Sequence, residues 1–434
     1  HFVDCGATAI NLVGSPEAVR SPSFQYGQFV ELDEIDTVQG PKGDDFPSEC
    51  LIDNNLIHSI GRIEKQTAGV NISMAMDITV SNNSIYDVPR AGINICDGTW
   101  GGHLIEYNDV FNTVLESGDH GAFNSWGRDR FWHPKRGVLD EIVRNNPAMA
   151  KWDAIHTTTI RNNRFRCDHG WDIDLDDGSS NYEIYNNVCL NGGLKLREGL
   201  FRTVENNILV NNGFHPHVWF ENSEDVFRKN IAMTEHKDIR LAGWGKVIDY
   251  NLFPTSESLD QARQHNVDAN SDYGNPGFIN TENGNYSVES TSKALQLGFK
   301  NFDTVDAFGV KDPGLKVLAE KPGFPQLWNH GIAEKGEVFE WLGGEVKNIE
   351  TMEERSSAGL SETAGVLVTA VAENSVLSTS DIQEGDVILS AEEKKVNSIP
   401  DLMRIYQGNN WKGVLNLTIF RNQAEQKITL QLKK

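Results

Sequence analysis

Short runs of alternating apolar and polar residues recur along the first 255 positions, each followed by an asparagine-rich pair and a second short run. The copies are LIDNNLIHSI, ITVSNNSIYDV, LIEYNDVFNTV, TTIRNNRFRC, YEIYNNVCLN, RTVENNILVN, VFRKNIAM and IDYNLF. The second residue of each pair falls at Asn55, Asn83, Asp109, Asn163, Asn187, Asn207, Asn230 and Asn251, at intervals of 20 to 28 residues apart from one gap of 54. Alternation at period two predicts strands, and a fixed repeat in this range with a turn residue at one phase predicts stacked coils. The expected fold is an all-β solenoid, a right-handed parallel β-helix, with one rung carrying a long excursion. Asparagine suits the turn because it tolerates left-handed backbone, and stacked copies bond along the ladder and fix register.

That register aligns a second strand in each coil: GVNISMA from 69, GINICDG from 92, GAFNSWG from 121, DIDLDDG from 172, GLKLREG from 193, HVWFENS from 217 and DIRLAGW from 238. Alternation then points Ile173, Leu175, Leu194, Leu196, Val218, Phe220, Ile239 and Leu241 into the coil. Outward columns follow: Asp176, Arg197 and Glu221; Asp174, Lys195, Trp219 and Arg240; and beside them the pair Asp177 and Glu198. Rungs stack about 4.8 Å apart, so Asp177 and Glu198 are expected near the spacing of about 5 Å that a retaining glycosidase uses for nucleophile and acid/base. Asp176 and Glu221, two rungs apart, come nearer the wider inverting spacing, with Arg197 between them. Four carboxylates in six residues, at Asp172, Asp174, Asp176 and Asp177, demand cations, a metal or a substrate, and calcium is the metal such oxygens favour.

The segment DHGAFNSWGRDRFWH, 119–133, opens the excursion just before that cluster. Aromatic rings beside guanidinium and imidazole groups suit a sugar site, which makes His120, Trp126, Arg128, Asp129, Arg130 and Trp132 candidates for its wall. His215 and His217 have zinc-ligand character but no third ligand of matching spacing, so substrate contact or packing is expected of them. These residues define a carboxylate-pair hydrolase in which Asp177 or Asp176 attacks and Glu198 serves as acid/base. The alternatives are a polysaccharide lyase with an acidic calcium site and Lys195 or Arg197 as base, and a non-catalytic binding helix.

Composition changes this picture at its edges. A length of 434 residues exceeds one compact core and calls for an elongated domain plus a module. A net charge of -23 argues against a nucleic-acid partner. Cys5, Cys50, Cys96, Cys167 and Cys189 lack the paired spacing of metal or redox sites, and no apolar run is long enough to span a membrane. The first residue is His1, and an N-terminal part is expected to precede it; a secreted or periplasmic location is inferred from the expected substrate.

The asparagine-centred coils resemble the pectate-lyase-like superfamily of right-handed parallel β-helices over residues 1–300. GNPGFINTENGNYSV and SKALQLGF, at 275–299, look like the segment that closes the C-terminal end of such helices. DHGAFNSWGRDR and DIDLDDGSSNYEIYNN resemble β-helical glycoside hydrolases of families 141, 120 and 110. That resemblance implies action on fucose, xylose or galactose linkages of a plant or algal saccharide, with an Asp on one rung and a Glu on the next. After a connecting segment, 301–336, residues 337–434 resemble the PDZ domains attached to HtrA proteases, through WLGGEV, AGVLVTAVAENSV and IQEGDVILSAEEKKVNSIPDLMRIY. The resemblance implies that Trp341, Leu342, Gly343 and Gly344 receive a peptide's C-terminal carboxylate, or that the module mediates self-association.

Overall fold

The computed structural model describes residues 1–97, 99–325, 327, 338–349, 354, 355, 358, 360, 364–421 and 424–432. The chain forms two compact units, His1–Trp328 and Asn329–Lys434. The first is a right-handed parallel β-helix whose described strands make three all-parallel sheets of ten, eight and seven strands. A full coil contributes one strand to each sheet, as a repeat of about twenty residues with three short strands requires, and past Pro216 the seven-stranded sheet receives no further described strand.

The asparagine ladder runs unbroken from Asn55 through Asn83, Asn108, Asn163, Asn187, Asn207 and Asn230 to Asn251. Each side-chain amide donates to the carbonyl oxygen of the next, at 2.9 to 3.3 Å. The residue before each ladder position carries the left-handed turn, as at Asn54, Asn82, Tyr107 and Asn162. In the third coil the ladder member is Asn108, not Asp109 as the pair alignment expected. Asp109 instead binds Arg164 through both oxygens. The interior is a column of stacked aliphatic and aromatic side chains, including Ile72, Ile95, Phe123, Ile173, Leu194 and Phe214.

The seven-stranded sheet carries the candidate residues of the acidic face. Its strands are Ile10–Val13, Ala68–Ser73, Ala91–Cys96, Gly121–Trp126, Trp171–Asp176, Leu194–Leu196 and Phe214–Pro216. Asn124, Asp174, Lys195 and His215 stand in register across the last four, and beside that column Trp126 pairs with Asp176. The last strand thus aligns from Phe214, three residues before the start expected for HVWFENS. The chain leaves the sheet after Pro216, and Val218 turns left-handed. That turn reverses which side chains face inward. Trp219, expected to point out, is wholly buried in the coil interior and donates from Nε1 to the Leu196 carbonyl at 2.8 Å. Phe220, expected inside, packs outside with Phe131, Trp132 and Leu200, and Ile239 is exposed.

The 54-residue interval holds the helix Arg136–Asn145, which buries Leu139, Ile142 and Val143 in that same outer cluster. Residues 278–288 form an antiparallel hairpin whose Tyr286 and Val288 pack along the outer face of the ten-stranded sheet with Val188, Ile208 and Ile231, rather than across the end of the coil. Residues 300–312 run back along this flank: Lys300 meets Asn206, Gly309 meets Tyr107 and Lys311 meets Asn54. Residues 326 and 328–336 of the expected connecting segment lie outside the described residues.

The second unit is α+β. An antiparallel sheet runs in the order Phe339–Trp341, Gly344–Asn348, Val366–Val371, Val387–Ala391, Val414–Arg421, Ala424–Gln431. The helix Ile399–Asn409 packs Leu402 and Ile405 onto it.

Candidate active site

Three carboxylates of two successive rungs converge on one guanidinium. Arg197 Nε lies 3.5 Å from Asp177 Oδ1, 3.6 Å from Asp176 Oδ1 and 3.6 Å from Glu198 Oε2. The three acids therefore lie within two such contacts of one another. Asp176 ends its strand, Asp177 begins the turn after it, and Gly178 donates its N–H to the Glu198 carbonyl, which locks the rungs at this point. Lys195 sits beside the trio, 2.8 Å from Asp174 and 3.5 Å from Asp176.

Electrostatics splits the acids. Burial, reinforced by the Asp176 and Glu198 charges, pushes the Asp177 carboxyl up to about 6 against the pull of Arg197 and Arg128. Burial acts the same way on Asp176, but Lys195 and Arg197 outweigh it and hold that carboxyl below the usual range. Burial pushes Asp174 up to about 8 despite Lys195. Burial alone would lower the Lys195 ammonium, yet Asp174 and Asp176 hold it above the ordinary lysine range, and Arg197 is likewise held cationic by its three acids.

A second shared feature marks the place. Buried polar atoms without a hydrogen-bond partner concentrate here: Oδ2 of Asp174, Oδ1 of Asp176 and Asp177, Oε2 of Glu198, Nε of Arg197 and Arg128, and Nε2 of His217. Buried polar groups are almost always satisfied in folded proteins, so this concentration describes a site built for an incoming polar ligand or water. By contrast, Asp172 accepts from the backbone N–H groups of Cys167, Asn191, Gly192 and Gly193, and is structural.

The other expected residues divide. Arg128 reaches Asp177 at 3.6 Å and Asp97 at 3.8 Å, and Trp126 donates to Asp97 at 3.1 Å, so both belong to the site. His120 lies 6.2 Å from the Trp126 ring. His215 and His217 meet the Trp171 ring edge-on at 4.5 and 5.7 Å, and His215 also contacts Asn212 Oδ1. Burial pushes His217 down to about 3 and His215 well below the ordinary histidine value, so both are neutral at the floor of the site.

Five residues do not belong. Glu221, expected in the Arg197 column, has a side chain 72% exposed and faces Arg144 at 3.8 Å, because it follows the reversal at Val218. His217 takes its place next to Arg197. Trp219 is in the core, as described. Arg130 is no sugar contact: it is sealed between Asp153 and the carbonyls of Asp36, Val38 and Trp152, and ties three loops together. Asp129 is buried beside it, its carboxyl raised by burial and by Asp153. Trp132 packs its ring on Tyr26 and donates to the Tyr26 carbonyl.

Four contributors were not expected. Arg136, on the excursion helix, donates to Glu198 Oε1 at 3.0 Å and to the carbonyls of Val218 and Trp219. Tyr26 stands close enough that burial and the charges of Asp177, Glu198 and Asp176 raise its phenol. Its loop is pinned by Arg128, which donates to the Phe24 carbonyl. Arg90 lies over Trp126. Asp97 had a signal in the sequence: in GINICDG it occupies the phase that Asp177 has in DIDLDDG.

Among the described residues no group of three histidine, cysteine or acidic side chains is arranged to hold a metal ion. The acidic column is matched instead by Lys195, Arg197, Arg128 and Arg136, which a calcium ion would have to displace. No described helix is long and apolar enough to cross a membrane.

In the second unit, Trp341 is buried against the Tyr406 ring and Leu342–Gly343 form a two-residue hairpin turn, both left-handed. Gly343 accepts from the Ala372 N–H. A Cβ at Gly344 would stand 2.6 Å from the Ala370 carbonyl and from Leu377, so the backbone approach here favours glycine. Residues 342–432 match the PDZ domain family. No curated protein matches the chain. The β-helix is a scaffold of the kind that carbohydrate-active enzymes use, and function on it must be argued from the site.

Proposed function

We propose that this protein is a glycoside hydrolase whose proton donor is Asp177 and whose ionised partner is Asp176. The observation that carries this is the opposed electrostatics of two carboxyls on the same Arg197 nitrogen, one raised to about 6 and one held low. Asp177 gives its proton to the glycosidic oxygen as that oxygen leaves the anomeric carbon. Asp176 attacks the carbon, and the glycosyl ester is then cleaved by a water from which Asp177, now ionised, takes a proton. Glu198, held by Arg136 and Arg197, fixes the guanidinium that both acids share. His217, Tyr26 and Trp171 border the space for the sugar.

A lyase needs a neutral base to take a proton from carbon. Lys195 and Arg197 are both held cationic, which weighs against that reading. The PDZ unit is proposed to bind a peptide or a second copy of the chain.

The test is sugar release from fucosides, xylosides, galactosides and mixed polysaccharides by wild type, Asp177→Asn and Asp176→Asn, with ultraviolet absorbance followed in parallel. The proposal expects reducing sugar without absorbance from wild type and at least a thousandfold loss in both variants. An absorbing product, or release that survives either substitution, overturns it.

A further inference from the structure

The cations around the carboxylate trio are answered by acids at every position but one. Lys195 faces Asp174 and Asp176, Arg197 the trio, Arg128 Asp97 and Asp177, and Arg136 Asp140 and Glu198. Arg90 makes no ion pair among the described residues. The acid with most influence on it, Asp119, is largely exposed and turns to His120 at 3.8 Å.

Arg90 is nonetheless half-buried and held in place. Its guanidinium lies 5.2 Å over the Trp126 ring, and its Nε and Nη2 approach His120 Nδ1 and Nε2 at 3.2 and 2.5 Å. A neutral imidazole has one acceptor nitrogen, so only one of these contacts is a hydrogen bond and the other N–H lacks an acceptor. Burial and Arg90 itself keep His120 neutral against the pull of Asp119. Arg90 opens the rung of strand Ala91–Cys96, two rungs before that of Asp176, and its guanidinium reaches Trp126, the cross-strand neighbour of the proposed nucleophile.

We propose that Arg90 receives the carboxylate of a uronic acid residue, so that the saccharide cleaved at Asp176 and Asp177 is acidic. This rests on the hydrolase reading for the cleavage but not for the binding. A planar guanidinium, oriented by an aromatic face and already stripped of part of its water, pairs with a carboxylate through two parallel N–H bonds. A neutral sugar leaves its charge unanswered.

The test is calorimetric titration of the full chain with galacturonate and glucuronate against galactose and glucose, in wild type, Arg90→Gln and Arg90→Lys, each checked for an unchanged melting temperature. The expected result is a uronate preference of about tenfold or more in wild type, weakened in Arg90→Lys and absent in Arg90→Gln. Equal binding of acidic and neutral sugars, no binding of either, or a preference that persists in Arg90→Gln overturns the subsite. Hydrolysis of neutral glycosides that depends on Asp177 would leave the hydrolase reading standing while this one falls.

Discussion

At the scale of single residues, the site depends on two neighbouring carboxyls that burial alone would treat alike. Asp177 has only partial compensation and titrates near 6, whereas Asp176 has Lys195 in addition and stays ionised well into the acid range. Since the acid must be protonated and its partner ionised, activity is expected to fall as pH rises through about 6 and to persist below pH 4. A pH profile of kcat/KM checks this. A profile that is flat from pH 5 to 8 would contradict the assignment of Asp177. The asparagine ladder makes a second prediction at this scale. Asn163 is wholly buried, and its two amide N–H groups are shared among three carbonyl oxygens, so Asn163→Ala is expected to cost about 2–3 kcal/mol by denaturant titration. Asn55 begins the ladder, is partly exposed and has a ladder neighbour on one side only, so Asn55→Ala is expected to cost less than half as much.

Among elements, the excursion helix Arg136–Asn145 supplies a cation from one of two coils whose length breaks the repeat, the other being the coil between Phe2 and Ile57 that carries Tyr26. Arg136 reaches Glu198 and two carbonyls at once, and stacks on the Phe220 ring at 4.6 Å. Arg136→Met takes the donor from a buried carboxylate and the Val218 carbonyl, while the Trp219 carbonyl keeps the Ala242 N–H, and is expected to lower stability by about 2 kcal/mol and activity with it. Arg136→Lys should recover part of both, as a melting curve and an assay on the same samples would show; equal loss in both variants would mean that the charge does not matter.

The elements also show what alternation reveals and where it stops. It placed Asp174, Asp176, Lys195 and Arg197 on one outward face, because strands Trp171–Asp176 and Leu194–Leu196 keep their parity to the end. It failed for Trp219 and Glu221 because Phe214, Pro216, Val218 and Phe220 share one parity while the strand ends at Pro216. A left-handed residue, Val218, then inverts the pattern without any break in hydrophobicity. Arg136, Tyr26 and Arg90 had no such signal, since loops and a helix from separate coils bring them together and only their contacts reveal the choice. Arg130 and Asp129 read as exposed chemistry in a polar loop, yet their role is to close the space between that loop and residues 36–38 and 152–153.

For the whole molecule, every residue proposed to touch the sugar lies in His1–Trp328, and the PDZ domain match begins at residue 342. A solenoid draws its stability from neighbouring coils, and the PDZ unit has its own core of Val346, Val366, Val368, Leu402 and Leu417. Two calorimetric transitions are therefore expected from the intact chain. A chain ending at Trp328 should lose one of them and keep the kcat/KM of sugar release within about twofold, since truncations at domain boundaries cut few contacts. If activity on small glycosides vanished with the PDZ unit while the remaining transition stayed in place, that unit would have to contribute to the site itself. If only action on long polysaccharides fell, its part would be in bringing the enzyme to its substrate, through a bound peptide or a second copy of the chain.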